Sequence, residues 1–342
     1  MPKRVSVVIL TWNNLEHLKQ FLPLLLERTQ DDNVEIIIAD NHSKDHTTTW
    51  VADHYPGIRL LAFKKNLGYA GGYAAALSQI HSEFFLLLNS DVEVLPGWLP
   101  PLVEVMEDTD VAAVMPKILS KKDPRYFEYA GAAGGWIDRY GYPFCRGRIF
   151  NTLEKDTHQY DQITPVFWAS GACMLVRRES FLAAGGFDPD FFAHMEEIDL
   201  CWRFQKRGLK VLYQPHSTVL HVGGGSLPNE HPYKIFLNFR NNLLLLYKNL
   251  PLKQRKRVIR ARRILDGIAA LQFLLTGKPA YLIQVIRAHR QFGKMKTKYH
   301  RSADESSNQQ SPDKLKGYYA GSVVFQYFIR RKKRFSDLKN YR

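Results

Sequence analysis

The segment 84-FFLLLNSD-91 is an apolar run that ends in two polar side chains and a carboxylate. Its length and bulky apolar residues are typical of a strand that is buried on both faces of a sheet. The polar end has two explanations, because Asp and Asn favour turns and because Mg²⁺ and Mn²⁺ prefer oxygen ligands. The tripeptide 89-NSD-91 alone leaves open whether it is a turn or a metal site.

The preceding segments repeat this arrangement. The runs 5-VSVVILT-11 and 34-VEIIIAD-40 are each followed by a helical pattern, and a short strand at 58–63 leads through 66-NLGYAGG-72 into an Ala-rich helix. Strands that alternate with helices predict an α/β fold with a Rossmann-like, mostly parallel sheet flanked by helices. Ligands of such sheets bind beyond the carboxyl ends of the strands, where these polar clusters lie.

Length and composition narrow the class of protein. A chain of 342 residues suits one large domain or two of moderate size. No apolar stretch approaches the roughly 18 to 20 residues of a membrane-spanning helix, and the N-terminus does not have the pattern of a signal peptide. We therefore expect a cytoplasmic protein. Cys145, Cys173 and Cys201 form no CxxC pair, so we expect buried free thiols.

The formal net charge of +15 is concentrated at one end of the chain. Residues 1–250 carry 25 Lys and Arg against 28 Asp and Glu, a net of −3, whereas residues 251–342 carry 23 against 5, a net of +18. A basic end on a nearly neutral body predicts an anionic partner, either a membrane or a nucleic acid.

The helical pattern of 252–275 places cations beside an apolar stripe, as in helices that lie on membranes. A helical cap with a solvated charged face explains the same pattern. We expect the apolar stripe to consist of Val258, Ala261, Leu265, Ile268 and Leu275, with Arg255, Arg262 and Arg263 on other faces.

Two further segments carry residues typical of catalysis. In 194-HMEEIDLCWR-203, Glu196 and Asp199 share a face of the predicted helix, and Glu197 points about a quarter turn away. These neighbouring carboxylates repel one another, and the preceding glycines and aromatics are an unusual setting for a solvated face. His221 ends a strand before three glycines, where it has room to reach a metal or a phosphate.

In this order the segments resemble the family-2 inverting glycosyltransferases of the GT-A fold, particularly bacterial rhamnosyltransferase-like members that build surface polysaccharides. The resemblance covers roughly residues 4–250. It rests on VSVVILTWNN, ADNHSKD, NLGYAGG, LLLNSD, ASGACMLVRRE, GGFDPDFFAHMEEIDLCWR and VLHVGGGS. It implies inverting transfer of a sugar from a UDP- or dTDP-linked donor to a hydroxyl of a glycan or polyprenol-linked glycan, with Mg²⁺ or Mn²⁺ as cofactor.

The resemblance also implies roles for single residues. Asp91 and His221 would hold the metal, and Glu197, or Glu196 in its place, would be the base that takes the acceptor's proton. We expect this base to be ionised at pH 7 without any shift of its pKa from about 4. Asp199 would support it on the acceptor side. The nucleotide-sugar residues would be Thr11, Asp40, Asn66, Gly71 and Asn89, and the acceptor residues Trp168 and Trp202.

Two positions depart from the family pattern. Asn89 stands where the first Asp of the DxD motif is expected, which removes a charge and should loosen metal binding. Glu197 stands where Asp is more frequent. The second departure is the reason for keeping Glu196 as an alternative base.

The patterns predict four parts. Residues 1–240 would form the catalytic domain, with a nucleotide-sugar half up to about 120 and an acceptor half after it. A helical membrane-associating region would follow at 241–299, then a flexible linker at 300–316 and a basic aromatic tail at 317–342. The basic region would hold the enzyme at the anionic inner face of the cell membrane, with no nucleic acid as partner.

Two other classes of protein remain possible at this point. A sugar nucleotidyltransferase shares a similar sheet, but its usual Gly-rich, Lys-containing N-terminal loop is missing from VILTWNNLEHLK. A nucleic-acid-binding protein would act through the basic tail and would bind duplexes with a steep salt dependence.

Overall fold

The computed structural model describes residues 3–223, 231–299 and 311–338. The strands in chain order are β1 (Val5–Thr11), β2 (Val34–Asp40), β3 (Arg59–Ala62), β4 (Phe84–Asn89), β5 (Val92–Val94), β6 (Val111–Ser120), β7 (Gly135–Asp138), β8 (Pro143–Cys145), β9 (Arg148–Ile149), β10 (Thr152–Leu153), β11 (Thr164–Pro165), β12 (Cys173–Arg177), β13 (Lys210–His221) and β14 (Tyr318–Tyr319). The α-helices are α1 (Leu15–Glu27), α2 (Thr47–His54), α3 (Gly68–Leu77), α4 (Pro100–Val105), α5 (Arg178–Ala183), α6 (Glu196–Lys206), α7 (Pro232–Asn249), α8 (Leu252–Leu275) and α9 (Pro279–Met295).

The predicted α/β sheet is confirmed. Its strands lie in the order β11-β13-β6-β12-β4-β1-β2-β3, with β5 paired to β13. Neighbours from β4 to β3 are parallel, as are β6 and β13, whereas β12 runs antiparallel between β4 and β6. The apolar runs of β1 and β4 form the centre of the core, since almost every side chain in them is buried. The carboxyl ends of β1, β2 and β4 therefore lie side by side.

A smaller sheet packs beside the large one and includes the end of the chain. Its order is β10-β9-β8-β7-β14, and β14 comes from the region that we expected to be a basic tail. Phe335 from that region is 1% exposed and its ring lies 4.9 Å from that of Trp136. The prediction of a separate tail is therefore wrong for the described residues up to 338, because apolar side chains of this segment complete the small sheet.

The predicted linker is described only from residue 311. Residues 300–310 lie outside the described residues. Within 311–316, Pro312 and Leu315 are buried, and the Lys316 amide donates to Gln205 Oε1 over 2.8 Å. This described part of the predicted linker packs on the catalytic fold.

Phe335→Ala is expected to lower the free energy of unfolding by about 3 to 5 kcal/mol, because it leaves a cavity among buried rings. Urea unfolding measures the change. Phe328→Ala is the matched control in the same segment, since Phe328 is 48% exposed, and its effect should stay within about 1 kcal/mol. Equal effects of the two substitutions would contradict the packing of Phe335.

The C-terminal helices also differ from the expectation. The predicted boundary after residue 240 falls inside α7, which packs on the catalytic fold. The bounds predicted for α8 are confirmed, but its buried side chains are mostly polar: Arg255, Arg262, Asp266 and Ala270. Arg262 Nε donates to Asp266 Oδ1 over 2.6 Å and its guanidinium lies 3.9 Å from the centre of the Tyr142 ring. Arg255 and Arg262, which the sequence placed on faces other than the apolar stripe, are therefore buried against the rest of the protein.

Two expectations about composition can be compared with the structure. All three cysteines are buried and free, as predicted. Within the described ranges, none of the helices has both the length and the apolar content needed to cross a membrane.

Candidate active site

One side of the site is formed where β1 and β2 end. Thr11 and Asp40 are paired in register, and each is 2% exposed. Asp40 Oδ2 accepts from the Ser43 amide over 3.0 Å, while Asp40 Oδ1 and Thr11 Oγ1 have no hydrogen-bond partner. Buried polar atoms are normally paired, so these two atoms fit a ligand with hydroxyl or amide groups, such as a nucleoside.

Asn66 and Gly71, which the sequence placed at the nucleotide-sugar, both have contacts within the protein. Asn66 Oδ1 accepts from Asn41 Nδ2 over 3.0 Å and from the Gly68 amide over 2.8 Å, so it braces the loop before α3. Gly71 lies within α3, buried beside Leu67 and Pro189. Because α3 already starts at Gly68, Gly71 is a helical residue, and its contact with the nucleotide-sugar stays a prediction.

Gly68 brings the two halves of the site together. Its φ is +73°, and an added Cβ would lie 2.4 Å from the Phe192 carbonyl oxygen. The Ala70 amide donates to the same oxygen over 3.0 Å. Only glycine tolerates both the left-handed backbone and this approach, so α3 directly contacts the turn that precedes α6.

Asp91 and His221 meet at the centre of the site. Asp91 Oδ1 lies 3.2 Å from His221 Nε2, and Glu128 Oε2 lies 2.9 Å from His221 Nδ1. All three side chains are buried. Burial opposes a charge on His221, but the two carboxylates outweigh it and raise the pKa of the imidazole to about 10. Burial also opposes ionisation of Asp91, but the His221 charge holds the pKa of that carboxyl below its ordinary value.

The donor set at this centre fits a divalent cation that is shared with a substrate. Among the described residues, no three His, Cys, Asp or Glu side chains are grouped as a complete metal site. Asp91 offers one oxygen, and His221 offers Nε2 once a cation has displaced the proton from it. Mg²⁺ commonly takes its other ligands from water and substrate phosphates. Glu128 would fix the orientation of His221 through Nδ1, as carboxylates behind metal-binding histidines do. Asn89, half-buried at the end of β4, lies two residues before Asp91.

Glu196 and Glu197 begin α6, with unpartnered buried oxygens on both side chains. Burial raises the pKa of Glu197 to about 7, which the backbone amides at the start of α6 only partly offset. Burial and the charge of Glu197 raise the pKa of Glu196 well above its ordinary value. The expectation of an unshifted base is therefore wrong: burial raises the pKa values of both glutamates, and that of Glu197 lies near neutral pH. Shifts of this kind are typical of carboxyls that act as acids or bases.

The turn that presents these glutamates is strained and is held by α7. Phe192, His194 and Met195 have positive φ values of 65°, 70° and 76°. Asn241 Nδ2 donates to the carbonyl oxygens of Phe191, Ala193 and His194 over 2.7 to 2.8 Å. Left-handed backbone at non-glycine residues persists only where the surroundings enforce it, and the Asn241 amide supplies that constraint.

Asn241→Ala is expected to lower kcat by about 10- to 100-fold, because a small misplacement of a catalytic group has an effect of this size. The donor KM should change little, since the substitution lies far along the chain from Thr11 and Asp40. Steady-state kinetics separate the two parameters. Asn238→Ala, one turn earlier on α7, is the matched control and should leave kcat unchanged; a similar loss there would contradict a specific role of Asn241.

Asp199 lies on the face of α6 that is turned away from solvent. It is fully buried, and its oxygens accept from Arg203 Nε over 2.9 Å, Lys248 Nζ over 3.0 Å and Asn249 Nδ2 over 2.7 Å. These cations hold the pKa of the carboxyl below its ordinary value despite burial. Asp199 therefore anchors α6 to α7, and any support of the acceptor side is indirect.

The two tryptophans expected at the acceptor are both buried. Trp168 is 4% exposed and its Nε1 donates to the Trp136 carbonyl over 3.0 Å. Trp202 is 1% exposed and packs edge-on against Phe167. Both pack inside the protein, and contact with an acceptor stays a prediction.

Four residues at the site were not singled out from the sequence. Glu128 and Asn241 act on His221 and on the strained turn, and Asn41 braces the loop before α3. Tyr69 donates to the Gly171 carbonyl over 2.6 Å, and burial, with the charges of Tyr73 and both glutamates, raises the pKa of its phenol. The glycines at 68 and 171, which leave room for Phe192 and Tyr69, were the only sequence signals for these close approaches.

Comparisons with known proteins show which family this chain resembles. The family model described as "Glycosyl transferase family 2" matches residues 6–183. The N-acetylglucosaminyl-diphospho-decaprenol L-rhamnosyltransferase of Mycobacterium tuberculosis is 30% identical over 239 residues, which cover 65% of this chain and 76% of that protein. The rhamnosyltransferase WbbL of Escherichia coli is 24% identical over 276 residues, which cover 78% of this chain and 98% of that protein.

Two solved structures share the fold. The mannosyltransferase PcManGT from Pyrobaculum calidifontis, in complex with GDP-Man and Mn²⁺, superposes with a TM-score of 0.52 at 16% identity and covers 87% of this chain and 85% of its own. GalNAc-T7 with UDP, GalNAc and Mn²⁺ superposes with a TM-score of 0.52 at 17% identity and covers 77% of this chain and 55% of its own. At these identities the likeness shows the GT-A-like fold alone.

Proposed function

The chain belongs to glycosyl transferase family 2, and on that premise we propose that it transfers a sugar, with inversion, from a nucleotide-diphosphate donor to a hydroxyl of a lipid-linked glycan. The donor class is a UDP- or dTDP-sugar, and Mg²⁺ or Mn²⁺ is the cofactor. The names of the relatives from Mycobacterium tuberculosis and Escherichia coli support rhamnose as the sugar and a diphosphate-linked lipid as the acceptor.

The observation that carries this proposal is the separation of two sets of unpartnered polar atoms. Thr11 Oγ1 and Asp40 Oδ1 lie at the ends of β1 and β2, and the free oxygens of Glu196 and Glu197 lie at the start of α6. Asp91 follows β4, the strand beside β1. A donor held at the first set and an acceptor at the second would meet near Asp91.

The residues divide the reaction between them. Glu197, once ionised, accepts the proton of the acceptor hydroxyl as that oxygen attacks the anomeric carbon of the donor. The attack comes from the side opposite the nucleotide diphosphate, whose bond to this carbon breaks, and the configuration of the carbon is therefore inverted. Glu196, in its protonated form, can donate a hydrogen bond and adds no second negative charge beside that of Glu197. A divalent cation bound by Asp91 and His221 would offset the charge of the departing diphosphate.

A donor screen tests this function. The purified protein is mixed with UDP-, dTDP- and GDP-sugars and Mn²⁺ or Mg²⁺, and nucleoside diphosphate release is measured with and without a lipid-linked acceptor. We expect acceptor-stimulated release with one donor class and a product of inverted anomeric configuration. Release of inorganic diphosphate from a nucleoside triphosphate and a sugar phosphate would instead identify a nucleotidyltransferase.

The proposal includes attachment to an anionic membrane surface through the basic C-terminal region. Helix α8 exposes apolar side chains in steps of four, three and four residues, which places them on one face: Ile264, Ile268, Leu271 and Leu275. Exposed cations, among them Arg257 and Arg260, precede this face on the same helix. Apolar insertion and attraction to anionic lipids act together in such helices.

Vesicle sedimentation tests the attachment. The full chain should bind vesicles that contain phosphatidylglycerol more tightly than pure phosphatidylcholine vesicles, and Ile268→Glu with Leu271→Glu should abolish binding. Leu182→Glu, at an equally exposed leucine of α5, is the matched control. Unchanged vesicle binding of the double variant would show that this face meets something other than lipid.

A further inference from the structure

Arg148 is a buried cation without a carboxylate partner among the described residues. Its side chain is 6% exposed, its Nε has no hydrogen-bond partner, and its Nη2 donates only to Cys145 Sγ over 3.4 Å. The guanidinium lies 4.4 Å from the centre of the ring of Tyr129, which is 43% exposed. A buried charge without a counter-ion is unfavourable, so this arrangement favours the binding of an anion.

The nearest acidic side chain is already engaged. The charge of Glu128 reaches Arg148 and, with those of Cys145 and Tyr129, raises the pKa of the guanidinium against the opposing effect of burial. The Glu128 carboxylate, however, accepts from the Ala130 amide over 2.6 Å and contacts His221 Nδ1. Arg148 therefore keeps its positive charge but has no ion pair within the described ranges.

The charge of Glu128 also acts on a second cation. Lys234, in the first turn of α7, is half-buried, and burial lowers the pKa of its ammonium while the charge of Glu128 acts in the opposite direction. Its charge also reaches His194, two residues before Glu196, because it adds to the effect of burial in lowering the pKa of that imidazole. Lys234 thus lies within electrostatic reach of both Glu128 and the turn that holds the base.

Arg148 belongs to a different sheet from the residues expected at the nucleotide. Arg148 is on β9 of the small sheet and pairs in register with Cys145. Burial raises the pKa of the Cys145 thiol, and the charges of Glu128 and Glu197 add to this effect. Thr11 and Asp40 lie instead in the large sheet at β1 and β2.

We infer that Arg148, assisted by the charge of Lys234, binds a phosphate group of the acceptor substrate. Guanidinium groups bind phosphate oxygens through two parallel hydrogen bonds, and Nε is available for one of them. The inference rests on the proposed function and deepens it, because it assigns to two residues the recognition of the diphosphate that links glycan and lipid. The donor also carries a diphosphate, so the test has to separate the two substrates.

The test compares two acceptors with the same saccharide, one linked through a diphosphate to a short prenol and one as an uncharged alkyl glycoside. Arg148→Gln should raise the KM of the diphosphate-linked acceptor by about 10- to 100-fold, as expected for the loss of charged hydrogen bonds. The KM of the alkyl glycoside and of the donor should change by less than about twofold. Lys234→Gln should act in the same direction with a smaller effect, and Arg148→Lys should be intermediate.

Lys210→Gln is the matched control. Lys210 pairs with Asp108 over 2.8 Å on the surface and lies at the opposite end of β13 from His221, roughly 35 Å away at about 3.3 Å per residue. It should change neither KM. If Arg148→Gln does not fold, inorganic diphosphate on the wild-type protein replaces it and should compete with the diphosphate-linked acceptor but not with the alkyl glycoside.

Three results would overturn the inference: equal KM values of the wild type for the two acceptors, an unchanged KM in both Arg148→Gln and Lys234→Gln, or an effect on the donor KM alone. Each requires that the wild type transfers sugar. A wild type that transfers sugar to neither acceptor with any donor would refute the proposed function instead, so the two failures are distinguishable.

Discussion

Glu197→Gln is expected to lower kcat by about 10²- to 10⁴-fold, the range that general-base catalysis contributes. The substitution keeps the size and the hydrogen-bonding reach of the side chain but removes its ability to take a proton. The donor KM should stay close to that of the wild type, because Thr11 and Asp40 are untouched. Steady-state transfer kinetics at saturating acceptor measure the loss, and circular dichroism shows that the variant is folded.

Glu196→Gln is the matched control for this loss. Burial and the charge of Glu197 raise the pKa of Glu196 well above its ordinary value, so we expect glutamine to be a close mimic of its protonated form, and kcat should remain within about tenfold of the wild type. The reverse ranking, with Glu196→Gln inactive and Glu197→Gln active, would make Glu196 the base. Near-normal turnover in both variants would refute the assignment of the base to this helix.

The pH dependence follows from the pKa of about 7 that burial gives Glu197. The base works only when ionised, so kcat/KM should fall about tenfold per pH unit below pH 7 and level off above it. Glu196→Gln should keep this acidic limb close to pH 7, because the shift of Glu197 comes mainly from burial. An acidic limb near pH 4 would show that the carboxyl is more solvated than the structure indicates.

Helix α8 shows how far periodicity predicts a fold. The spacing of its apolar residues predicted Leu252–Leu275, which agrees with the structure. Periodicity shows which side chains share a face, but it does not show which face meets the rest of the protein. Arg262 is buried because Asp266 and the distant Asn242 and Tyr142 surround it, and no local pattern indicates such partners. The burial of Arg262 could therefore not be predicted from the sequence of the helix.

The residues of the candidate site also divide into those that the local sequence predicts and those that it does not. Thr11, Asp40 and Asp91 were predictable because parallel strands align their carboxyl ends, and each of these residues ends or follows an apolar run. Glu128 lies 93 residues before His221 in the chain, and Asn241 lies 47 residues after His194, so nothing in their local sequences marks either contact. The pKa of Glu197 depends on burial by the whole fold, which explains why an ordinary carboxyl was expected.

Asp91→Asn is expected to lower metal-dependent transfer by at least about 100-fold, since a bound cation contributes several kcal/mol to stabilising the departing charge. Asn89 already replaces one carboxylate of the motif, so Asp91 is the last acidic ligand in 89-NSD-91. Mn²⁺ titration followed by isothermal calorimetry should show a parallel loss of metal affinity, independent of turnover. Glu93→Gln, two residues away in an ion pair with Arg28 and Lys121, is the matched control and should keep Mn²⁺ binding.

The same substitution has a separate effect on stability, with a defined sign. Because Asp91 and Glu128 raise the pKa of His221 to about 10, the folded state holds a proton that the unfolded state releases near its ordinary pKa of about 6.5. The resulting stabilisation is complete below about pH 6.5 and is lost as the pH rises towards 10. Asp91→Asn removes part of it, so the melting temperature of the metal-free variant should fall below that of the wild type at pH 6 and approach it at pH 10. A difference that is constant over this range would mean that His221 is not charged between the two carboxylates.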